Sequence, residues 1–159
     1  MMRSQGIAQG TTPTLTGSVP PRAIVDNSVW QRAHVEDVRG ALTKLFRAGY
    51  EVVTCAPQLL EALWSAHSGA DHARIAATFG RFQTVDPQPG FARGCSRLQG
   101  NLWSHGMVRT VGSSGIQIAM TALQHDCTVV HYDNDFELIQ RVEPTFSQRW
   151  IAARGSLPT

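Results

Sequence analysis

Four acids in this 159-residue chain stand where an apolar run gives way to a helix or loop. Asp26 closes "RAIV", Glu61 lies in "APQLLEALWSA" just after "YEVVTC", and Asp133 and Asp135 follow "CTVVHY". Gathered carboxylates without a neighbouring Lys repel one another unless a cation neutralises them, and hard oxygen ligands favour magnesium or manganese. Such an ion lowers the pKa of bound water and stabilises charge on phosphate oxygens, so the set suits phosphodiester hydrolysis without a nucleophilic side chain. Taken singly, each acid reads as no more than a helix cap or a surface carboxylate. Their shared position carries the inference.

The elements that must gather them follow from periodicity. "RAIV" predicts a strand, with Asn27 and Ser28 as candidate caps for the helix that follows; Ser28 could equally support a pocket around Asp26. Val35, Val38, Leu42, Leu45 and Phe46 recur at helical spacing and Gly49 makes a stop, after which "YEVVTC" reads as a second strand. Pro57 in a first turn opens a helix with Leu59, Leu60, Leu63 and Trp64 as its apolar stripe and Gly69 as its stop. Residues 71–84 and roughly 90–105 predict two more helices joined by the break "VDPQPG". In "GSSGIQIAMTALQHD", Ile116, Ala119, Met120 and Leu123 share one face, with Ser113 or Ser114 able to cap. "CTVVHY" is a buried-looking strand, "DNDFELIQ" a turn and helix, and "SQRWIAA" a last strand. Alternating strands and helices imply an α/β fold, a parallel sheet flanked by helices, whose strand exits line up along the carboxyl edge.

The rest of the chain mostly excludes. There is no Walker loop, no G-x-S-x-G, no G-x-G-x-x-G and no zinc-ligand spacing among the six histidines. Cys55, Cys95 and Cys127 are odd in number and contain no C-x-x-C, which fits a reducing cytoplasm. No apolar run is long enough to cross a bilayer, so no membrane association is expected. Residues 1–22, rich in Gly, Ser, Thr and Pro, read as a flexible leader, 23–155 as one domain and 156–159 as a tail. The net charge is +2, and without Arg3 and Arg22 of the leader 12 basic side chains balance 12 acidic ones. Between residues 62 and 125 Arg74, Arg81, Arg93, Arg97 and Arg109 face only Asp71 and Asp86, a basic middle able to hold a phosphate backbone or simply to stay solvated. Arg109 could contact a backbone phosphate or be a solvated loop arginine, His131 reads as a satisfied core histidine, and Trp30, Trp64, Trp103 and Trp150 as packing residues.

In "IVDNSVW", "APQLLEALWSA" and "IQIAMTALQHDCTVVHYDNDFELI" the chain resembles the PIN-domain family, particularly the VapC-type ribonuclease toxins of toxin–antitoxin pairs, over about residues 23–155. The resemblance implies a small parallel sheet between helices and an acidic magnesium (or manganese) pocket that cleaves RNA. It assigns Asp26, Glu61 and Asp133 as metal ligands, with Asp135 completing the catalytic acids. The family's third acid stands three residues before the run Ile118, Ala119, Met120, Thr121, Ala122, and that position holds Gly115.

Losing one anionic ligand weakens such a site. A first-turn acid would also gain about 0.3–1 kcal/mol from the helix dipole, so folding stability does not explain the glycine. The resemblance therefore implies a magnesium-dependent endoribonuclease weakened at Gly115, neutralised by a small cognate antitoxin and forming a homodimer. The alternative is a degenerate PIN domain that binds antitoxin or RNA without cutting.

Overall fold

The computed structural model describes residues 19–158, so most of the leader read in residues 1–22 lies outside the described residues. Five strands form one all-parallel sheet in the order β3-β2-β1-β4-β5: β1 Arg22–Val25, β2 Glu51–Thr54, β3 Gln83–Thr84, β4 Cys127–His131 and β5 Gln148–Trp150. The chain starts at the centre, steps out through β2 to β3, then crosses back to β4 and β5 on the other side. The crevice between the carboxyl ends of β1 and β4 is thus the switch point, where open parallel sheets place their ligands.

Helices cover both faces, and the strands alternate between two cores. Ile24, Val53 and Val129 pack with Leu98 and Leu102 of α5 (Phe91–Ser104), with Ile116, Ile118 and Ala119 of α6 (Ser113–His125), and with Phe136 and Ile139 of α7 (Asn134–Val142). Ala23, Val25, Val52 and Val130 point the other way, onto Val29 of α1 (Asn27–Trp30) and Val38, Leu42 and Leu45 of α2 (Glu36–Arg47). Strands buried on both sides need no polar alternation, which is why "AIV" and "VV" read as continuous apolar runs. Each fully buried Ile or Leu contributes about 1.5–3 kcal/mol of transfer free energy, so the two cores fix the strand exits firmly. Helix α5 packs closely on α6 because residue 94 is glycine: a Cβ there would stand 2.6 Å from Met120 Sδ.

Several sequence expectations differ from the structure. The helix expected over 71–84 stops early: α4 is Gly69–Phe79, and Gln83–Thr84 pair with Val53 and Thr54 as β3. Gly69 opens α4 instead of ending α3 (Ala56–Trp64), because Ser68 accepts from Asp71 N and caps the new helix. Neither Ser113 nor Ser114 caps α6; its N-cap is Gly112, with no side-chain cap hydrogen bond. On α3, Leu60 and Trp64 are 65% and 91% exposed, and Trp103 of α5 is 47% exposed, so these three are not packing residues as expected. Trp30 stacks on Phe82, ring centroids 5.6 Å apart, and Trp150 lies against His131 and Tyr132. No helix among the described residues is long and apolar enough to cross a membrane.

Candidate metal pocket at the switch point

Asp26, Glu61, Asp133 and Asp135 line one cavity of about 230 Å³, together with Asn27, Ser28, Gln31, Gly112, Ser114 and Gly115. The first strand ends by turning directly into α1, and Asp26 caps that helix. Its Oδ2 accepts from Ser28 N at 2.9 Å and Ser28 Oγ at 2.6 Å. Neither Asn27 nor Ser28 is the cap. Ser28 instead ties the two central strand exits together, since its Oγ also accepts from Tyr132 N at 2.9 Å, just past β4. Asp133 repeats the device: its Oδ1 accepts from Asp135 N at 3.0 Å and caps α7. Glu61 projects from the second turn of α3 and receives Asn27 Nδ2 at 3.4 Å; the same amide donates to Gln58 O at 2.9 Å.

Sequence reasoning passed over Gln58 and took Asn27 only for a candidate cap, yet these two buried amides hold this corner. Gln58, 1% exposed, donates to Val25 O through Nε2 and accepts from Thr54 Oγ1 at 2.8 Å, locking α3 to the ends of β1 and β2. Asn27 is 6% exposed, and its Oδ1 has no hydrogen-bond partner. Flipping the Asn27 amide would set its oxygen against Gln58 O and Glu61, so the orphan oxygen is the arrangement its neighbours impose. Their only sequence signal is position: Asn27 directly follows Asp26, and Gln58 stands three residues before Glu61.

Electrostatically the pocket lacks a counter-charge. The ion pairs among the described residues are Arg74–Asp71, Arg97–Glu143, Arg141–Glu137 and Arg154–Glu137, and none reaches a pocket acid. Burial pushes the Asp26 carboxyl above its usual range, opposed by the Ser28 hydrogen bonds and reinforced by Asp133. Glu61 is raised by burial and by Asp26. Asp135 is raised by burial and by Asp133, while the Gly112 N–H at the start of α6 partly offsets the rise. A set of oxygens that repel one another, beside an unpartnered amide oxygen, fits a hard divalent cation in kind. In number the fit is incomplete: among the described residues no three carboxylate, imidazole or thiol groups close on one point. On the side of α6, Gly115 lines the cavity with no side chain.

The remaining sequence candidates lie apart. Arg109 is exposed, adopts φ +57° in the loop before α6 and does not line the cavity. Arg74 is drawn to Asp71 on the outer face of α4. His131 is fully buried and satisfied on both ring nitrogens, at 2.7 Å from Gln148 Oε1 and 3.1 Å from Asp133 N, and burial lowers its pKa. The three cysteines are free.

Comparisons with known proteins agree with this architecture. Ribonuclease VapC21 of Mycobacterium tuberculosis is 33% identical over 140 residues, covering 85% of this chain and 97% of that protein. Among solved structures, VapBC-1 from nontypeable Haemophilus influenzae superposes with a TM-score of 0.67 at 12% identity, over 82% of this chain and 98% of that one. VapBC2 from Rickettsia felis, crystallised with a promoter DNA fragment, gives 0.66 at 15% identity, over 81% and 98%. At these identities the two structures speak to fold alone. Residues 23–142 match the PIN domain, and with a VapC ribonuclease sharing a third of its residues over nearly its whole length, the chain belongs to the PIN-domain family and is a VapC-type member of it.

Proposed function

We propose that the protein is a divalent-metal-dependent endoribonuclease, the toxin of a toxin–antitoxin pair, whose activity is lowered by Gly115. The observation that supports this most is the gathering of Asp26, Glu61, Asp133 and Asp135 around one cavity at the β1/β4 switch point with no cationic side chain among them. Asp26, Glu61 and Asp133 would hold magnesium or manganese, and Asp135 would support them. The ion would activate water and offset charge on the scissile phosphate. The protein's own contribution is to fix the carboxylates: Ser28 holds Asp26, Asn27 holds Glu61, and Asp133 is held by its own turn. Arg109 is assigned to the RNA backbone outside the cavity. The relative's name supplies the substrate class.

The VapBC complexes among the structural neighbours support a small antitoxin as partner. A homodimer in the cytoplasm completes the reading, and light scattering that shows only monomer at micromolar concentration would refute the dimer. The second reading, a PIN domain that binds without cutting, is favoured by one observation, the absence of three converging ligands among the described residues.

Incubating a structured RNA panel with the protein in magnesium separates the two. Slow cleavage that chelation and Asp26→Ala both abolish supports the nuclease. Cleavage by Gly115→Asp alone makes the chain a disarmed nuclease that binds.

A further inference from the structure

We propose that His131 is a positioning residue for Asp133, kept in a single tautomer by a relay through Gln148 and Gln140. The proposal rests on the metal-pocket reading above. Beneath the pocket, Asp133 N donates to His131 Nδ1 at 3.1 Å, and His131 Nε2 lies 2.7 Å from Gln148 Oε1. Gln148 Nε2 donates to Gln140 Oε1 at 2.8 Å, and Gln140 Nε2 to Phe146 O at 3.0 Å.

Both ends of this chain are fixed in direction. A backbone carbonyl can only accept, so Gln140 must present its amide nitrogen to Phe146 and its oxygen to Gln148. Gln148 must then present its oxygen to the imidazole, which makes Nε2 the protonated nitrogen. At the other end a backbone N–H can only donate, which makes Nδ1 the acceptor. The two constraints agree on one neutral tautomer. They are delivered from α7, β5 and the loop between them to the residue at the pocket's edge.

The ring itself cannot drift. It is fully buried, with the rings of Phe136 and Trp150 at 5.0 and 4.9 Å. Asp133 is therefore gripped twice, through its N–H by His131 and through its own Oδ1 by Asp135 N. An imidazole accepting from the N–H two residues on does the work of an Asx turn, with a rigid ring in place of a mobile amide. Two glutamines buried at least in part would be a costly way merely to fill space behind a histidine.

Two substitutions divide the imidazole's roles. In His131→Asn the amide oxygen stands where Nδ1 stood and keeps the Asp133 contact; in His131→Gln the amide nitrogen reaches Nε2's place and keeps the Gln148 contact. Manganese titration and thermal unfolding of the full chain are measured on both and on wild type. Expected are manganese affinity within about threefold of wild type for His131→Asn and a loss of about 10–100-fold for His131→Gln, the size associated with residues that orient a metal ligand. Their losses of thermal stability should be alike. Nitrogen-15 spectra of wild type should show Nε2 protonated, and Gln148→Leu should admit the Nδ1-protonated form. Equal affinity losses that follow stability, or a proton on Nδ1 in wild type, overturn the proposal. If a variant fails to fold, the wild-type and Gln148→Leu spectra decide. A wild type that binds no manganese and cuts no RNA brings down the pocket reading, and the positioning role with it.

Discussion

The exits of β1 and β4 and the first turn of α6 border the same cavity but are built in opposite ways. At each exit an aspartate folds back to accept the N–H two residues on: Ser28 N to Asp26, Asp135 N to Asp133. Each therefore caps its helix and meets the cavity from a fixed backbone. The start of α6 has a glycine cap, no capping side chain and glycine again at 115. Its effect on the acids is to offset in part, through the Gly112 N–H, the rise that burial causes at Asp135. One wall of the pocket carries charge on rigid supports, and the facing wall carries none.

The largest effect is expected at Asp26. Asp26→Ala should reduce manganese affinity and RNA cleavage by at least about 100-fold, measured by calorimetry and gel assay, because it removes the most buried carboxylate. Gly115→Asp should equip the bare wall and raise manganese affinity about tenfold. The new Cβ meets Val111 Cγ1 at 3.2 Å, so Val111 must give slightly, and Val111→Ala beside Gly115→Asp should bind at least as well.

A smaller effect is expected on stability without metal. The Asp26 carboxyl titrates above its usual range in the fold, so its charged form opposes folding. That penalty is absent below the unfolded pKa and grows as pH rises through the folded value. Asp26→Asn, which caps as well as Asp, should stabilise the metal-free protein at pH 7 by about 0.5–2 kcal/mol, and the gain should vanish as pH falls below the carboxylate range. Thermal unfolding across pH would show it. Smallest of all, Gly112→Ser should add a cap to α6 and a few tenths of a kcal/mol, since nothing lies within 4 Å of the new Cβ.

The gathering of the acids was legible because it depends on strand exits, and "AIV" and "CTVVHY" announce strands buried on both faces. That residue 115 lines the cavity was legible because the helical run after it is intact. What stayed hidden depends on partners rather than period. β3 is two residues long and exists only through its pairing with β2, so the helical pattern of 71–79 ran on over it. Leu60 and Trp64 keep the spacing of a buried stripe, yet no element of the described chain covers them. Gln58, Gln140 and Gln148 look like surface glutamines until their hydrogen bonds are seen. Arg109 sits in the basic middle of the sequence, but its loop carries it away from the cavity.

Manganese titration of wild type beside Asp26→Ala and Gly115→Asp tests the account most directly. One weak site is expected in wild type, lost in Asp26→Ala and tightened in Gly115→Asp. Binding that ignores Asp26, or a Gly115→Asp variant that folds and still binds no manganese, would contradict it.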